Sequence, residues 1–83
     1  MNAKNRKTLT AISQEPIRSE FYWKEIEYLF KALGAEVTEG SGSRVRVALN
    51  GVRAVFHRPH PQNITEKAAL KSVRRFLTTA GVK

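Results

Sequence analysis

Apolar residues first recur at helical spacing between residues 20 and 33 of the chain. The shared apolar face consists of Tyr22, Ile26, Leu29, Phe30 and Leu33. Ser19 precedes this pattern as a candidate N-cap, and Gly34 follows it where a C-terminal turn favours a glycine. The spacing therefore predicts a helix over residues 20 to 33.

Beyond Gly34 the apolar period changes to two, which is typical of strands with one buried face. The alternating positions are Ala35, Val37, Val45, Val47 and Leu49. Ser41-Gly42-Ser43 predicts a loop between the first two strands, and Asn50-Gly51 predicts a two-residue hairpin turn of the primed type. The pattern thus indicates three antiparallel strands.

The turn at Asn50-Gly51 also fixes the pairing of the two strands that it joins. One side of this hairpin pairs Leu49 with Val52, Val47 with Ala54 and Val45 with Phe56. The other side pairs Ala48 with Arg53, Arg46 with Val55 and Arg44 with His57. We expect the apolar side to face the core, so the outer face is predicted to be basic and to carry a histidine.

A second helical pattern follows Pro59-His60-Pro61, which ends the third strand. Asn63 and Glu66 form a variant of the capping box, and the pattern continues to about Ala80, before Gly81. Its predicted core positions are Ala69, Val73, Phe76, Leu77 and Ala80. Its basic residues share one helical face and are Lys67, Lys71, Arg74 and Arg75.

The order helix, three strands, helix predicts an α+β fold of the α-β-β-β-α type, with a three-stranded antiparallel sheet and two helices on one face. We expect a basic N-terminal arm over residues 1 to 18 and one domain over residues 19 to 83. Residues 1 to 7 have little apolar content and predict a mobile segment. Leu9 and Ile12 allow one short helix, which Gln14-Glu15-Pro16 would stop.

The composition narrows the choice of partner. Fifteen Lys and Arg against seven Asp and Glu give the 83 residues a net charge of +8, which is spread along the whole chain. Such a charge predicts a polyanionic partner. No apolar stretch is long enough to span a membrane and no secretory leader is apparent, so we expect no membrane partner and a cytoplasmic location. The absence of cysteine excludes a disulfide frame and a thiolate metal site.

The outer face of the predicted sheet carries the main candidate chemistry. Its residues are expected to lie within a few ångströms of one another and are Arg44, Arg46, Arg53 and His57. Guanidinium groups suit bidentate phosphate contacts. RNA cleavage without a metal needs a base for the 2′-hydroxyl proton, an acid for the leaving oxygen and cations for the charged transition state. The alternative is that these charges only keep an exposed strand face soluble and block edge pairing.

Two further basic features are candidates for phosphate binding. His60 lies between two prolines that restrict its backbone, which suits either a rigidly held functional side chain or a simple turn from strand to helix. The basic face of the last helix suits either phosphate contacts or solvation. Two histidines without cysteine cannot complete a closed zinc site, and no nucleotide-binding or nucleophile motif is present, so we expect neither a metal nor a small-molecule cofactor.

Four short segments, taken together, resemble the HicA toxins over about residues 20 to 82. They are Trp23-Lys24-Glu25-Ile26 through Leu33-Gly34-Ala35, Gly42-Ser43-Arg44-Val45-Arg46, Phe56-His57-Arg58-Pro59-His60-Pro61, and Val73-Arg74-Arg75-Phe76-Leu77 to Ala80-Gly81-Val82. The resemblance implies a double-stranded-RNA-binding-domain-like fold, endoribonuclease activity against messenger RNA, and neutralisation by a HicB antitoxin that covers the active face. The expected RNA-binding residues are Ser43, Arg44, Arg46, Arg53, Arg58, Lys67, Lys71 and Arg74.

The chain departs from the family pattern at one important position. That family usually has Gly-Ser-His at the start of its second strand, with the histidine taken as catalytic, whereas Gly42-Ser43 is followed here by Arg44. Arginine stays protonated and cannot act as a general base near neutral pH. We therefore expect His57, predicted across from Arg44, to act as base or acid. Arg44 and Arg46 would stabilise charge, and His60 is held in reserve as a catalytic residue.

Three functions fit these features. The first is a metal-independent mRNA endoribonuclease, the toxin of a two-component module that is neutralised by a HicB-type antitoxin. The second is a non-catalytic domain that binds double-stranded RNA through the basic start of its last helix. The third is a module whose cationic face docks an acidic protein.

Overall fold

The computed structural model describes residues 2–14, 21–59 and 64–82. Its elements in chain order are α1 (Ala3–Ser13), β1 (Phe21–Tyr22), α2 (Trp23–Ala32), β2 (Glu36–Glu39), β3 (Arg44–Leu49), β4 (Val52–His57), β5 (Ile64–Thr65) and α3 (Lys67–Thr79). Strands β2, β3 and β4 form an antiparallel sheet in that order, and β1 pairs with β5. The order α2-β2-β3-β4-α3 confirms the predicted α+β, double-stranded-RNA-binding-domain-like fold.

The hairpin β3-β4 has the register that its turn predicts. Asn50 and Gly51 both have positive φ, 51° and 80°, as a type I′ turn requires. All six predicted cross-strand pairs are present, from Leu49 opposite Val52 to Arg44 opposite His57. The turn therefore determines which side chains of both strands face the core.

The core lies between the inner face of the sheet and the helices α2 and α3. The sheet contributes Val45, Val47, Leu49 and Phe56, all of which are buried. The rings of Phe30, Phe56 and Phe76 join α2, the sheet and α3, with neighbouring ring centroids 5.7 to 5.8 Å apart. Burial of this aromatic cluster against both helices leaves the opposite face of the sheet to solvent.

Helix α2 begins three residues later than its pattern predicts. Phe21 and Tyr22 are not helical, because they pair with Thr65 and Ile64 in the small β1-β5 sheet. Tyr22, expected in the apolar face of the helix, is 61% exposed. The predicted N-cap Ser19 lies outside the described residues. The sequence pattern did not predict β1 and β5, because strands of two residues are too short to show a period of two.

Helix α3 begins at Lys67, with Glu66 at the N-cap position and no capping hydrogen bond from its side chain. The predicted capping box is therefore wrong, since Glu66 would have to lie three residues inside the helix; Asn63 itself lies outside the described residues. Leu70 is fully buried, whereas the predicted core residue Ala69 is only partly buried. The Leu70 side chain, which is longer than that of Ala69, fills the space between α3 and the sheet. The other four predicted core positions are confirmed as buried.

The N-terminal segment forms a full helix that packs on the domain. Residues 3 to 7, predicted to be mobile, belong to α1, whose first turn is capped by Asn2 accepting the Asn5 backbone N–H at 2.8 Å. Ile12 is fully buried among the core residues, and the buried Thr8 hydroxyl donates to the Lys4 carbonyl. The expected domain boundary after residue 18 falls outside the described residues and stays a prediction.

None of the helices in the described part of the chain is long and apolar enough to cross a membrane.

Candidate nucleic-acid interface

The outer face of the sheet, which points away from α2 and α3, carries side chains in three rows across the strands. From the hairpin turn outwards, the rows are Glu36–Ala48–Arg53, Thr38–Arg46–Val55 and Arg44–His57. Glu36 contributes the single carboxylate of these rows. The face therefore presents three arginines and a histidine against one negative charge.

Arg44 and His57 form the row farthest from the hairpin turn. They are direct cross-strand partners, and both side chains are exposed. Cα atoms of such partners lie about 4.5–5.5 Å apart, close enough for both side chains to reach one phosphate group. The predicted juxtaposition of these two residues is confirmed.

The other two arginines lie at different distances from His57. Arg46 is two residues from Arg44 on the same face, about 7 Å along β3. Arg53 is four residues from His57, about 13 Å along β4, and pairs with Ala48 near the turn. The expectation that all three arginines lie within a few ångströms of His57 is thus wrong for Arg53, because alternation places residues on one face but does not bring them together along the strand.

A shallow depression of about 500 Å³ lies on the outer face between Arg46 and Arg53. Val55 forms part of it and is 55% exposed. Apolar surface beside two guanidinium groups can contact a ribose or base while the cations hold the neighbouring phosphates. The depression therefore extends the Arg44–His57 row into a longer surface that suits a nucleic-acid chain.

Arg58, predicted to bind RNA, directs its side chain towards carboxylates of the domain itself. Its Nε donates to Glu27 Oε2 at 2.8 Å, and its Nη1 donates to Glu39 Oε1 at 2.7 Å. Hydrogen bonds to Glu39 and Glu27 raise the pKa of Arg58 further above its ordinary value. The same contact with Arg58 lowers the pKa of Glu39. The guanidinium therefore forms part of an ion-pair cluster.

Sequence patterns did not identify Glu27 and Glu39 as partners of Arg58. One signal was available, because Arg58 follows the outward-facing His57 and alternation turns its side chain towards the helices. A second was the four-residue spacing of Trp23 and Glu27, which places them on one face of α2. The Trp23 indole N–H indeed donates to the Glu27 carboxylate.

The loop that precedes Arg44 is held by backbone hydrogen bonds at both ends. The Gly40 N–H donates to the Arg44 carbonyl at 2.9 Å, and the Arg58 N–H donates to the Ser43 carbonyl at 2.9 Å. A side chain at Gly40 would meet the Arg44 Cβ at 3.2 Å, and Gly42 has a φ of +66°. The loop is thus built closely around Arg44, and Ser43 is half-buried beside it.

The basic residues of α3 lie on a different surface, because α3 covers the inner face of the sheet. Lys67 and Lys71 are exposed, as predicted. Arg74 is half-buried and lines a cleft with Leu9 and Ile12 of α1. The predicted basic face of this helix is therefore divided, with Lys67, Lys71 and Arg75 exposed and Arg74 half-buried in the cleft beside α1.

Two further sequence predictions concern His60 and metal binding. His60 lies outside the described residues, so its position relative to His57 stays a prediction. Within residues 2–14, 21–59 and 64–82, no group of three or more His, Cys, Asp or Glu side chains is arranged to hold a metal ion.

Comparison with known proteins gives one family. The family model described as the HicA toxin of bacterial toxin-antitoxin systems matches residues 23–82, which extend from the first residue of α2 past the end of α3. No curated protein and no solved structure gives a significant match. The matched segment contains the whole outer face and the Arg58 cluster.

Proposed function

The chain belongs to the HicA toxin family of bacterial toxin–antitoxin systems, and we propose that it is an endoribonuclease that cleaves messenger RNA in the cytoplasm and so inhibits translation and growth. The observation that carries this proposal is the Arg44–His57 row, which pairs a proton-transfer group with a fixed cation. Membership of the family implies an antitoxin partner. We propose a HicB-type antitoxin that covers the outer face.

In the proposed reaction, His57 accepts the proton of a ribose 2′-hydroxyl, and the 2′ oxygen forms a bond to the adjacent phosphorus. The bond from phosphorus to the 5′ oxygen of the next nucleotide breaks, and that oxygen takes a proton from an acid. His60 is our candidate for this acid. Arg44 and Arg46 stabilise the charge that develops on the phosphoryl oxygens. The products are a 2′,3′-cyclic phosphate and a 5′-hydroxyl, and no step requires a metal ion.

The experiment is cleavage of single-stranded RNA by purified protein, with and without a chelator, for the wild type and His57→Ala. We expect the wild type to cleave in both conditions and His57→Ala to be slower by roughly 10²- to 10⁴-fold, with an unchanged circular dichroism spectrum and no growth inhibition. A second variant, His57→Ala with Arg44→His, moves the imidazole across the row and should recover part of the rate. Full activity of His57→Ala would contradict the catalytic assignment.

A second function is favoured by a specific observation, namely the arginine at position 44 where the family usually has a histidine. On this alternative, the chain binds double-stranded RNA without cleaving it, using the exposed Lys67 and Lys71 at the start of α3. The same assay with duplex RNA distinguishes the two functions. Binding of duplex without cleavage of any RNA would support the alternative.

A further inference from the structure

Arg58 joins three parts of the fold at the end of the sheet where Arg44 and His57 lie. Its backbone follows β4, its guanidinium contacts Glu39 at the end of β2, and it also contacts Glu27 on α2. We propose that Arg58 and Glu27 are positioning residues that hold the Arg44–His57 row in its reactive geometry, and that Arg58 does not bind RNA phosphate. This inference rests on the proposed ribonuclease function.

The backbone of Arg58 extends the pairing of β3 and β4 by one hydrogen bond beyond the Arg44–His57 row. Ser43 precedes Arg44 and Arg58 follows His57, and the Arg58 N–H donates to the Ser43 carbonyl at 2.9 Å. This bond lies immediately beside the row, where the chain leaves β4. Its loss would allow the two strand ends to separate, and the distance between guanidinium and imidazole would vary.

The side chain of Arg58 connects the two edge strands of the sheet. Because β3 lies between β2 and β4, the span from Arg58 to Glu39 crosses about two strand spacings, roughly 9–10 Å. The long, planar arginine side chain contacts both carboxylates at once and so links β2 to the residue that follows β4.

Glu27 anchors this arrangement in the core. Its side chain is 15% exposed, and its carboxylate accepts hydrogen bonds from the Trp23 indole and from Arg58. The Trp23 ring in turn packs on Phe56 of β4, with centroids 5.9 Å apart. Because Glu27 is largely shielded from solvent, loss of Arg58 would leave its carboxylate without this cation, which favours the paired geometry.

The same contacts argue against a phosphate-binding role for Arg58. Each of its three guanidinium nitrogens already donates to a carboxylate oxygen, at 2.8 Å from Nε, 2.7 Å from Nη1 and 3.4 Å from Nη2. Its side chain is 32% exposed. A phosphate approaching Arg58 would meet the negative charges of Glu27 and Glu39 as well.

Three variants of this cluster test the inference. Arg58→Gln removes the charge, Arg58→Lys keeps the charge without the planar fork, and Glu27→Gln keeps Arg58 but removes the buried anion. Lys24→Gln, an exposed position on the same helix as Glu27, is the matched control for loss of one surface charge. The measurements are single-turnover cleavage at saturating RNA, RNA affinity as a function of salt, and hydrogen exchange of the residue 58 amide.

We expect all three variants of the cluster to slow cleavage at saturating RNA at least tenfold and to speed exchange of the residue 58 amide by a similar factor. Their affinity for single-stranded RNA should keep the wild-type salt slope, and Lys24→Gln should cleave at the wild-type rate. If Arg58 binds phosphate instead, Arg58→Gln will lower the slope by about 0.7 while Glu27→Gln tightens binding, and the inference is overturned. If Arg58→Gln does not fold, the two milder variants decide.

Failure of the proposed function has a different signature. A wild-type protein that cleaves no RNA would remove the ribonuclease proposal, but faster amide exchange in Arg58→Lys and Glu27→Gln would still show that the cluster fixes the row. Wild-type exchange in both variants would overturn the positioning role, whether or not RNA is cleaved.

Discussion

At the scale of single residues, the chemistry depends on what faces Arg44. An arginine at this position stays protonated near neutral pH, so it supplies a permanent positive charge and cannot act as a general base. His57 lies opposite on the neighbouring strand, and in the proposed reaction it supplies the proton transfer that an arginine cannot. On this proposal, the two functions of one site are divided between the partners of the Arg44–His57 row, because the register keeps both within reach of the same phosphate.

Glu39 gives a prediction about acid sensitivity. Its contact with Arg58 lowers its pKa below the ordinary value of 4.5, so the folded state releases its proton more readily than the unfolded state. A lowered pKa in the folded state stabilises the protein above the ordinary value, and this contribution is lost as pH falls through the lowered value. We expect Glu39→Gln to be less stable than wild type at neutral pH, and the difference in unfolding free energy to shrink as the pH falls below the ordinary value and through the lowered one. Urea unfolding over a series of pH values measures this.

Varying the ionic strength provides a control for the effect of Glu39→Gln on stability. The Glu39 side chain is 70% exposed, so salt screens its pairing with Arg58. The difference between wild type and Glu39→Gln at neutral pH should shrink in about 1 M salt. A difference that persists unchanged at low pH would show that the variant acts through something other than this ion pair.

At the scale of elements, the sequence predicts well those features that a single local signal determines. Asn50-Gly51 allows one turn type, and that turn fixes all six pairs of the hairpin and so the composition of the outer face. The β1-β5 pairing and the docking of α1 had no such signal. Phe21 meets Thr65 and Ile12 enters the core through contacts between distant segments, which no local period records. The same is true of Arg58 and Glu27, which are 31 residues apart.

The hairpin turn provides a prediction about stability. Asn50 has a φ of 51°, and its side-chain amide donates to the Ala80 carbonyl at the end of α3 at 2.8 Å. Asn50→Ala loses that hydrogen bond and places an alanine in the left-handed region, at a combined cost of about 2–3 kcal/mol. Asn50→Gly loses only the hydrogen bond and should cost about 1 kcal/mol. Urea unfolding of both variants tests this, and equal stabilities would contradict the role of backbone strain.

At the scale of the whole molecule, the charge of +8 is not one uniform surface. The outer face of the sheet carries Arg44, Arg46 and Arg53, while Lys67 and Lys71 project from the helix that covers the inner face. These surfaces suit different ligands. An exposed sheet face with an apolar residue at its centre suits a single strand, and lysines at the start of a helix suit the phosphates of a duplex. An antitoxin that covers the outer face would block only the first.

The two surfaces can be separated by a pair of matched double variants, Arg46→Gln with Arg53→Gln and Lys67→Gln with Lys71→Gln. Each removes two positive charges, so any effect of net charge alone is the same for both. Each phosphate contact contributes about 0.7 to the log-log salt slope for single strands, so we expect the arginine variant to lower that slope by about 1.4. The lysine variant should keep the single-strand slope and weaken duplex binding. If both variants lower the salt slope of single-strand binding equally, the overall charge holds the RNA. That result would contradict the assignment of the outer face as the binding surface.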